Sequence, residues 1–522
     1  MNRFDIIVIG GGLNSLVTAS MLGKAGKKVL VFEARDQVGG LASTSEFAPG
    51  FKCNDIYDVV KWIDPRVMKQ LNLESHGLEL HSPDLVRIAL DTQGQHISFH
   101  RDPNETAGSI ANHSEKDAKV WKAFTEYIDN LTYFIEKLYE LTPPKLPNIG
   151  LKEAFSMRSM LSPIRKHGTR GLVDFMRVAP MMMPELVDEW FENELLRAAV
   201  STAGIHHLSF GPFAAATGLN LLHQHVHSEG VFQNAHFVKG GTSELANALK
   251  LSAESVNVEI RTNSKVSAIN VENGVCNGVT LESGESIQAD QVVSGLDPQN
   301  TFIKLVGPSK LNPSFATQLR NIKYRGSTAR IHFALNGLLK INGIQEDQMG
   351  TVFSVSPSIE YLERTSDSVK YGRLAEDPYV EFTIPSVINP EFAPDGKHVL
   401  SATVQYAPYH LRGMNWSEEL KVQLKNNVVN VLKNYAPGIS TLIESSLVLS
   451  PLDLESQFGL TEGNLNHGEM TLDQFMFMRP TISTAQYKSP IENLYLCGPG
   501  THPGGGLHGA NGFNAAKEIL KR

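Results

Sequence analysis

A glycine-rich stretch between two apolar runs has the residue types and spacing of a dinucleotide-binding site. Gly10 and Gly12 follow a short apolar run, and Ser15 stands where the usual pattern has a third glycine. Gly10 permits a tight turn, and Gly12 lets the backbone approach a diphosphate at the start of a helix. Glu33 ends the next apolar run about 20 residues later, where a carboxylate can accept hydrogen bonds from a ribose hydroxyl. We therefore predict that this stretch binds a nucleotide diphosphate.

A second pair of glycines, Gly39 and Gly40, follows shortly after Arg35. A Gly-Gly pair by itself usually marks only a turn. Behind a strand-helix-strand unit, however, it offers a second segment of backbone that can approach the same diphosphate closely.

Another glycine-rich segment, residues 498–509, lies near the C-terminus between an apolar strand and the final helix. So many glycines before a helix indicate that backbone approaches a ligand, with the helix dipole directed at electron-rich atoms. An enzyme that binds only NAD has no need of this second site, whereas a flavin ring must be held beyond its diphosphate. Charge on the N1/O2 edge of a reduced flavin would be stabilised by that helix N-terminus. We therefore expect FAD as the cofactor.

Histidines are the titratable residues that stand out, because no paired carboxylates and no Ser/His/Asp arrangement are apparent. His223, His225 and His227 alternate, so on a strand they would share one face and could bind a metal ion. Surface or internally hydrogen-bonded histidines explain the same pattern, and we predict no metal site. His508 is the candidate catalytic residue, since it follows the C-terminal glycines beside the expected edge of the flavin ring.

Methionines cluster near a basic run in the middle of the chain. They are Met176 and the run 181–183, and the basic residues are at 165–167 and 170. Methionine-rich surfaces adapt to irregular apolar ligands, and basic residues beside apolar ones can contact anionic lipid. A packed core beside a solvated loop explains the cluster equally well.

The elements that must position these residues follow from hydrophobic periodicity. Strands are predicted at 6–9, 29–32, 256–260, 265–271, 292–295, 329–335, 379–384, 399–406 and 494–497, with a hairpin over 85–101. The pattern is helical from about 115 to 230, with one helix ended by Pro143-Pro144 and another over 184–203. This order predicts an α/β fold in which a Rossmann-like domain is interrupted by a mixed α+β substrate domain with a helical cap. The predicted segments are 1–104, 231–310 and 481–522 for the nucleotide domain, 105–230 for the cap and 311–480 for the substrate sheet.

Composition limits the function classes that fit. The chain of 522 residues is 41% hydrophobic and 20% charged, and its net charge of −8 argues against a nucleic-acid partner. Its three cysteines are far apart, which excludes a redox dithiol of the usual spacing. The first strand begins at about residue 4, so we expect no signal peptide and a cytoplasmic protein, with peripheral membrane contact as a further possibility.

Together these stretches resemble flavoproteins of the phytoene desaturase type, within the amine-oxidase-like FAD superfamily. The resemblance covers essentially the whole chain and includes the segments 4–33, 35–44, 238–245, 293–298 and 494–516. The motifs 404–412 and 463–470 are similar to the carotene ketolase branch and to animal pyridine nucleotide-disulfide oxidoreductase domain-containing proteins. Without a cysteine pair, we do not expect the disulfide chemistry in that name.

The resemblance implies which residues contact FAD. Gly10, Gly12, Ser15 and Gly40 would meet the diphosphate, Glu33 the ribose and Val266 the adenine, and Gly500, Thr501, Gly506 and Leu507 would line the ribityl chain and ring. The remaining predicted contacts are Leu13, Asn14, Ala34, Arg35, Gly39, Leu41, Ala42 and Gly498. Many amine oxidases carry an arginine where this chain has Leu41, which argues against an amine oxidase.

The economical reaction with FAD is hydride transfer from a substrate carbon to flavin N5. A conjugated hydrocarbon would stabilise the resulting cation, so we expect an apolar, carotenoid- or lipid-like substrate between the cap and the flavin. No second complete nucleotide motif is apparent, so the expected electron acceptor is oxygen or a quinone rather than NAD(P). Two alternatives stay open: a flavin amine oxidase, and a flavin-bound regulatory or interaction protein with little turnover.

Overall fold

Two seven-stranded sheets carry most of the strands in the computed structural model, which describes residues 3–144, 150, 158 and 161–521. The strands are β1 Phe4–Ile9, β2 Val29–Phe32, β3 Thr44–Ala48, β4 Phe51–Asn54, β5 Leu80–His81, β6 Leu85–Ala89, β7 Ile97–His100, β8 Phe237–Val238, β9 Glu259–Arg261, β10 Val266–Glu272, β11 Val275–Leu281, β12 Ser286–Ser294, β13 Thr328–Leu335, β14 Val352–Val355, β15 Tyr379–Thr383, β16 His398–Gln405, β17 Ile443–Leu449 and β18 Leu494–Leu496.

The α-helices lie on the faces of these sheets or form a separate layer. They are α1 Leu13–Lys24, α2 Pro65–Leu71, α3 Pro103–Ala111, α4 Glu115–Tyr139, α5 Leu161–Val178, α6 Met183–Asp188, α7 Glu194–Ile205, α8 Thr217–Gln224, α9 Thr242–Glu254, α10 Pro313–Arg320, α11 Ile359–Tyr371, α12 Glu418–Lys433, α13 Ile439–Leu442, α14 Pro451–Phe458 and α15 Ala510–Ile519. Among the described residues, no helix combines the length and apolar character that crossing a membrane would require.

The first sheet has the order β10-β11-β12-β1-β2-β9, with β18 paired to β12. β1 pairs in parallel with β2 and β12, and β18 extends this parallel part. The apolar run Ile6–Ile9 is buried because helices cover both faces of a parallel sheet. One of those helices, α1, packs against both α9 and α15. The head and tail of the chain therefore meet in one layer.

The second sheet has the order β17-β13-β16-β15-β14-β6-β7 and is antiparallel except where β14 pairs with β6. The predicted hairpin at 85–101 forms β6 and β7 and belongs to this sheet. The chain thus reaches the second sheet before residue 104, where our first domain segment ends. The other domain limits stay predictions.

A layer of helices, α3 to α8, encloses its own apolar core, which includes Trp121, Phe124, Leu196 and Leu222. The predicted α4 is confirmed. The parts of the helical pattern at 145–149, 151–157 and 159–160 lie outside the described residues.

Two predicted elements are wrong in extent. The helix expected over 184–203 is two helices, because Asn193 caps the start of α7 and the carboxylate of Asp117 binds the backbone amides of residues 192 and 193. The strand expected over 256–260 begins only at Glu259. Its first residues close α9 instead, with the Val258 amide bonded to the Ala253 carbonyl and Asn257 at a φ of 61°.

Candidate functional site

The start of α1 and the loop after β2 form a backbone pocket that we call the cofactor cradle, residues 10–15 and 39–40. The Gly39 amide donates to the Gly11 carbonyl at 2.8 Å, which holds the two loops together. A Cβ on Gly40 would lie 3.0 Å from the Cα of Gly12, so glycine is what permits this approach. Because the N-cap residue Gly12 has no side chain to bind the first amides of α1, those amides can face a ligand.

Ser15 fits the cradle because its neighbour is a glycine. A Cβ on Gly295 would lie 2.0 Å from the Ser15 hydroxyl, so the missing third glycine of the motif is offset by Gly295 on the adjacent strand connection. The helix and the strand therefore pack closely here without a third glycine in the motif.

Glu33 is buried at the edge of the cradle. Its carboxylate accepts from the Gly11 amide at 2.6 Å and from the Arg35 amide at 2.9 Å. The guanidinium of Arg35 donates to the Gly40 carbonyl at 2.8 Å. Glu33 thus joins the first cradle loop to the segment that precedes the second.

A cavity of about 700 Å³ runs from the cradle to the C-terminal glycine loop. The predicted contacts that line it are Gly10, Gly12, Leu13, Asn14, Ser15, Glu33, Ala34, Arg35, Gly39, Gly40, Leu41, Val266, Gly506 and Leu507. Ala42, Gly498, Gly500 and Thr501 are outside this lining, and Thr501 instead donates to the Gly498 carbonyl within the loop. The assignment of each residue to a part of FAD stays a prediction.

Sequence reasoning missed part of this lining. Gly295 and Leu296 also line the cavity, and a glycine directly after an apolar strand is a sequence signal that could have identified them. Phe458 and Leu460 line it as well, but no sequence pattern marks them. Phe458 enters from α14, and its ring lies 4.9 Å from the Arg35 guanidinium.

Two histidines hold the C-terminal glycine loop at one carbonyl. The Nε2 atoms of His508 and His223 lie 3.1 and 2.9 Å from the Gly505 oxygen. Nδ1 of His508 accepts from the Ala510 amide, and Nδ1 of His223 lies 2.7 Å from the Tyr139 hydroxyl. Burial lowers the pKa of His508 to about 3 and that of His223 to about 4. With both ring nitrogens engaged and the ring neutral, His508 is better suited to positioning the loop than to proton transfer.

The histidines at 223, 225 and 227 do not share the face that a strand would give them. His223 lies in α8, and His225 and His227 follow its end. Nδ1 of His225 lies 2.8 Å from the Leu221 carbonyl, while Nδ1 of His227 lies 3.3 Å from Glu136. Among the residues that the structure describes, no group of three or more histidine, cysteine, aspartate or glutamate side chains could hold a metal ion.

Arg479 is a buried organiser that the sequence did not reveal. Its guanidinium donates to the carbonyls of Asn466, Gly468, Glu469 and Pro499. One charged group thus joins the loop 464–469 to the C-terminal glycine segment.

A second, smaller cavity of about 70 Å³ adjoins the cofactor cavity, and both are lined by Gly506 and Leu507. We call it the charged chamber. Its charged and histidine residues are Asp58, Lys61, His206, His207, His223, Arg330, Glu381 and His508. Ile56, Val60, Trp62 and Leu507 give it apolar walls, and the Trp62 ring stacks on His508 at 4.2 Å. The chamber is therefore more polar than the apolar pocket expected from the sequence.

Two ion pairs lie at this chamber. Arg330 binds Asp58 at 2.6 Å, and Arg87, which lies behind the wall, binds Glu381 at 2.7 Å. Burial alone would raise the pKa of Glu381, but the positive charges of Arg87 and Lys61 hold it at about 2.

The remaining titratable groups of the chamber respond to burial. Burial lowers the pKa of His207 to about 3, with Lys61 adding to the effect, and holds the pKa of His206 well below its usual value. Burial also lowers the pKa of Lys61, to about 8, although nearby Glu381 opposes this shift. At neutral pH both histidines are uncharged and Lys61 is mostly protonated.

The expected methionine surface is divided between two environments. Met183 is buried in the helical core, whereas Met176 is 66% exposed on α5. The chain's three cysteines, Cys53, Cys276 and Cys497, are buried and free.

The residues present fit FAD. The glycine approach at the cradle, the uncapped start of α1 and the cavity of about 700 Å³ suit a diphosphate with a group on each side. At the other end, Gly506 and Leu507 of the C-terminal glycine loop line the cavity, whereas the Ala510 and Gly512 amides at the start of α15 are bonded to the side chains of His508 and Asn14, so the expected role of this helix start beside the flavin ring stays a prediction.

Comparison with known proteins agrees with this fit. The family model for flavin containing amine oxidoreductases matches residues 16–520. Pyridine nucleotide-disulfide oxidoreductase domain-containing protein 2 of Rattus norvegicus is 32% identical over 99% of this chain and 94% of its own length. A lycopene-forming phytoene desaturase of Pseudescherichia vulneris is 25% identical, with 96% of each chain covered.

A solved structure supports the fold in addition. An oxidoreductase from Methanosarcina mazei has a TM-score of 0.60 and 16% identity, covering 99% of this chain and 100% of its own. The predicted fold class, FAD cofactor and resemblance to phytoene desaturases are confirmed. The chain belongs to the family of flavin-containing amine oxidoreductases and is an FAD-dependent oxidoreductase.

Proposed function

We propose that this enzyme removes a hydride from a carbon atom of a largely apolar substrate that binds between the helical layer and the C-terminal glycine loop. The observation that carries the proposal is the junction of the charged chamber with the cofactor cavity at Gly506 and Leu507. The apolar walls at Ile56, Val60 and Trp62 favour a substrate with a hydrocarbon portion. The similarity to a phytoene desaturase supports the same substrate class.

Bound FAD supplies the two-electron acceptor for a hydride taken from carbon. The chain's own residues would bind and orient the cofactor. The amides at the start of α1 would hold the diphosphate, and the Glu33 carboxylate would accept from the ribose. His223 and His508 fix the Gly505 carbonyl and with it the loop beside the ring. The buried walls of the chamber exclude bulk water, which strengthens every electrostatic interaction inside it.

Proton transfer by a chamber histidine is not part of this proposal. His206 and His207 stay neutral at physiological pH because burial lowers the pKa of both. A substrate whose oxidation needs no strong protein base is the better match.

Anaerobic mixing of the purified holoenzyme with a panel of terpenes, polyenes and lipids tests the proposal. We expect at least one of these to bleach the visible flavin absorbance. Subsequent mixing with oxygen or a soluble quinone identifies the acceptor by the return of the absorbance. If no compound bleaches the flavin, the little-turnover alternative gains support and hydride removal from an apolar substrate is contradicted.

An amine oxidase is the second candidate, because the family description includes amine oxidoreductases. Its test is a hydrogen peroxide assay with a panel of amines. Both carboxylates of the chamber lining, Asp58 and Glu381, are held in ion pairs with arginines, and this disfavours a cationic amine.

We also propose that α5 contacts an anionic membrane surface, from which an apolar substrate can enter. Val173 and Met176 are 62% and 66% exposed, and the exposed Arg165, Lys166 and Arg170 lie on the same helix. Cosedimentation with anionic vesicles should fall several-fold when Val173 and Met176 are both replaced by serine. Unchanged cosedimentation would contradict this contact.

A further inference from the structure

We propose that the charged chamber binds an anionic group of the substrate, a carboxylate, and that Lys61 is the residue that recognises it. The inference deepens the proposed function, on which it rests: the substrate would be an apolar molecule with an acidic head rather than a pure hydrocarbon. Two observations carry it: among the described residues Lys61 lines the chamber without a hydrogen bond or ion pair, and Nε2 of His207 in the same chamber has no hydrogen-bond partner.

Neither carboxylate that lines the chamber forms an ion pair with Lys61. Asp58 and Glu381 are each engaged by an arginine, Arg330 and Arg87, in pairs whose side chains are at most 15% exposed. The chamber histidines add no charge, since burial keeps them neutral. Lys61 therefore remains as a cation without a counter-ion of its own.

Lys61 has no hydrogen bond and no ion pair within the part of the chain that the structure describes. Glu381 is near enough to influence its pKa, but the carboxylate of Glu381 binds the Arg87 guanidinium and lies 3.2 Å from the Tyr379 hydroxyl. Lys61 is only partly buried where it lines the chamber, so its ammonium group is open to a ligand, and an anionic group there would meet a positive charge that no ion pair of the described residues uses.

A neutral donor lies beside Lys61 in the same chamber. Nε2 of His207 is buried and has no hydrogen-bond partner among the described residues, whereas Nδ1 lies 3.3 Å from the Thr328 hydroxyl. With Nδ1 accepting from Thr328, Nε2 carries the proton and can donate to a carboxylate oxygen. An ammonium and an imidazole N–H together match the two oxygens of one carboxylate.

The size and place of the chamber agree with a head group rather than a whole substrate. Its volume of about 70 Å³ suits a few non-hydrogen atoms. Because Gly506 and Leu507 line both cavities, a chain attached to that head group leads toward the cofactor cavity. The carboxylate would thus fix which carbon of the substrate faces the flavin.

Binding of three probes of equal chain length tests this proposal without turnover. The purified holoenzyme is titrated with octanoate, octanol and octylamine, and binding is followed by the shift of the visible flavin spectrum and by calorimetry. We expect octanoate to bind most tightly. Lys61→Met should weaken octanoate binding about ten-fold or more, the range for loss of a hydrogen bond to a charged group, and Lys61→Arg should restore part of it.

The matched control is Lys69→Met, because Lys69 is exposed on α2, eight residues further along the chain. This variant should bind octanoate like the original enzyme. The proposal is overturned if octanol or octylamine binds as well as octanoate, if no probe binds, or if Lys61→Met leaves octanoate binding unchanged. A change in flavin reduction potential in Lys61→Met without a change in octanoate binding would assign Lys61 to the flavin instead and would also overturn it.

The two proposals fail separately. Failure of octanoate to bind leaves bleaching by an uncharged terpene or polyene as a valid result for hydride removal. Absence of bleaching by every compound leaves octanoate binding and its loss in Lys61→Met intact.

Discussion

The cofactor cradle and the charged chamber adjoin at the C-terminal glycine loop but are built differently. The cradle consists mainly of backbone from two short segments that are neighbours in sequence. The chamber consists of side chains that come from the loop before α2, the end of α7 and the strands β13 and β15. A site made of backbone is sensitive to added volume, whereas a site made of buried charges is sensitive to loss of a partner. The predictions below test this difference, from the largest expected effect to the smallest.

Added volume in the cradle should abolish cofactor binding. The φ of −68° at Gly12 is accessible to any residue type, and the atom nearest to a new Cβ would be the Gly40 Cα at 3.9 Å. We therefore expect the Gly12→Val variant to fold. The valine side chain would occupy the space of the diphosphate, and we expect purified protein without detectable flavin absorbance. Gly108→Ala is the control, because a Cβ there meets nothing within 4 Å, and it should keep full flavin content. Normal flavin content in Gly12→Val would show that the diphosphate binds elsewhere.

Removal of one charge from the chamber should cost stability. Arg330→Met leaves Asp58 buried without its ion-pair partner, and we expect the free energy of unfolding to fall by roughly 3–5 kcal/mol. The second replacement Asp58→Leu in the same chain should restore much of this loss. The control is Arg364→Met, which breaks a pair whose side chains are 75% and 68% exposed and should cost less than about 1 kcal/mol. Urea unfolding measures the free energy of unfolding of all these variants. Equal losses in Arg330→Met and Arg364→Met would contradict the distinction between a buried and an exposed ion pair.

The loop 464–469, which lies between the cofactor cradle and the charged chamber, should make the free energy of unfolding depend on pH. Burial raises the pKa of Glu469 from 4.5 to about 7, although the hydrogen bond from Ser209 and the charge of Arg325 oppose the shift. A folded-state pKa above the unfolded value gives stability that is complete below the unfolded pKa and is lost as pH rises through the folded pKa. When the pH rises from about 5 to about 8, the free energy of unfolding of the original protein should fall by about 2–3 kcal/mol relative to that of Glu469→Gln. Parallel pH profiles of unfolding for the two proteins would refute this.

The smallest effect is expected where a side chain contributes to the cradle. Glu33→Gln keeps the shape but weakens the acceptors for the Gly11 and Arg35 amides and for the ribose. Hydrogen bonds to a charged group contribute roughly 1.5–3 kcal/mol, so FAD affinity should fall roughly ten-fold or somewhat more, measured by fluorescence titration of the deflavinated protein. A loss as complete as in Gly12→Val would mean that this carboxylate, rather than backbone, dominates the cradle.

The cradle was predictable from the sequence because its constraints are local. Gly10, Gly12, Ser15 and Glu33 follow one another at spacings fixed by a strand, a turn and a helix. Gly10 has a φ of +86°, which favours glycine, and the absence of a side chain at Gly12 leaves room for a ligand. The same reasoning recognised the C-terminal glycine loop. It failed over 184–203, where Asp117, far away in sequence, binds the backbone that separates two helices.

The chamber was not predictable, because nothing in the sequence pairs Asp58 with Arg330 or Glu381 with Arg87. In the sequence, each of these is an ordinary charged residue of a loop or strand. They meet only because the second sheet brings β13 and β15 against the loop before α2. By itself the sequence determined the dinucleotide-binding fold and predicted that backbone near both ends of the chain holds the cofactor, because close approach and helix starts follow from glycine positions and hydrophobic spacing. Only the tertiary structure decided which charges are buried together and which one, Lys61, is left without a partner among the described residues, because burial and pairing depend on contacts between distant segments.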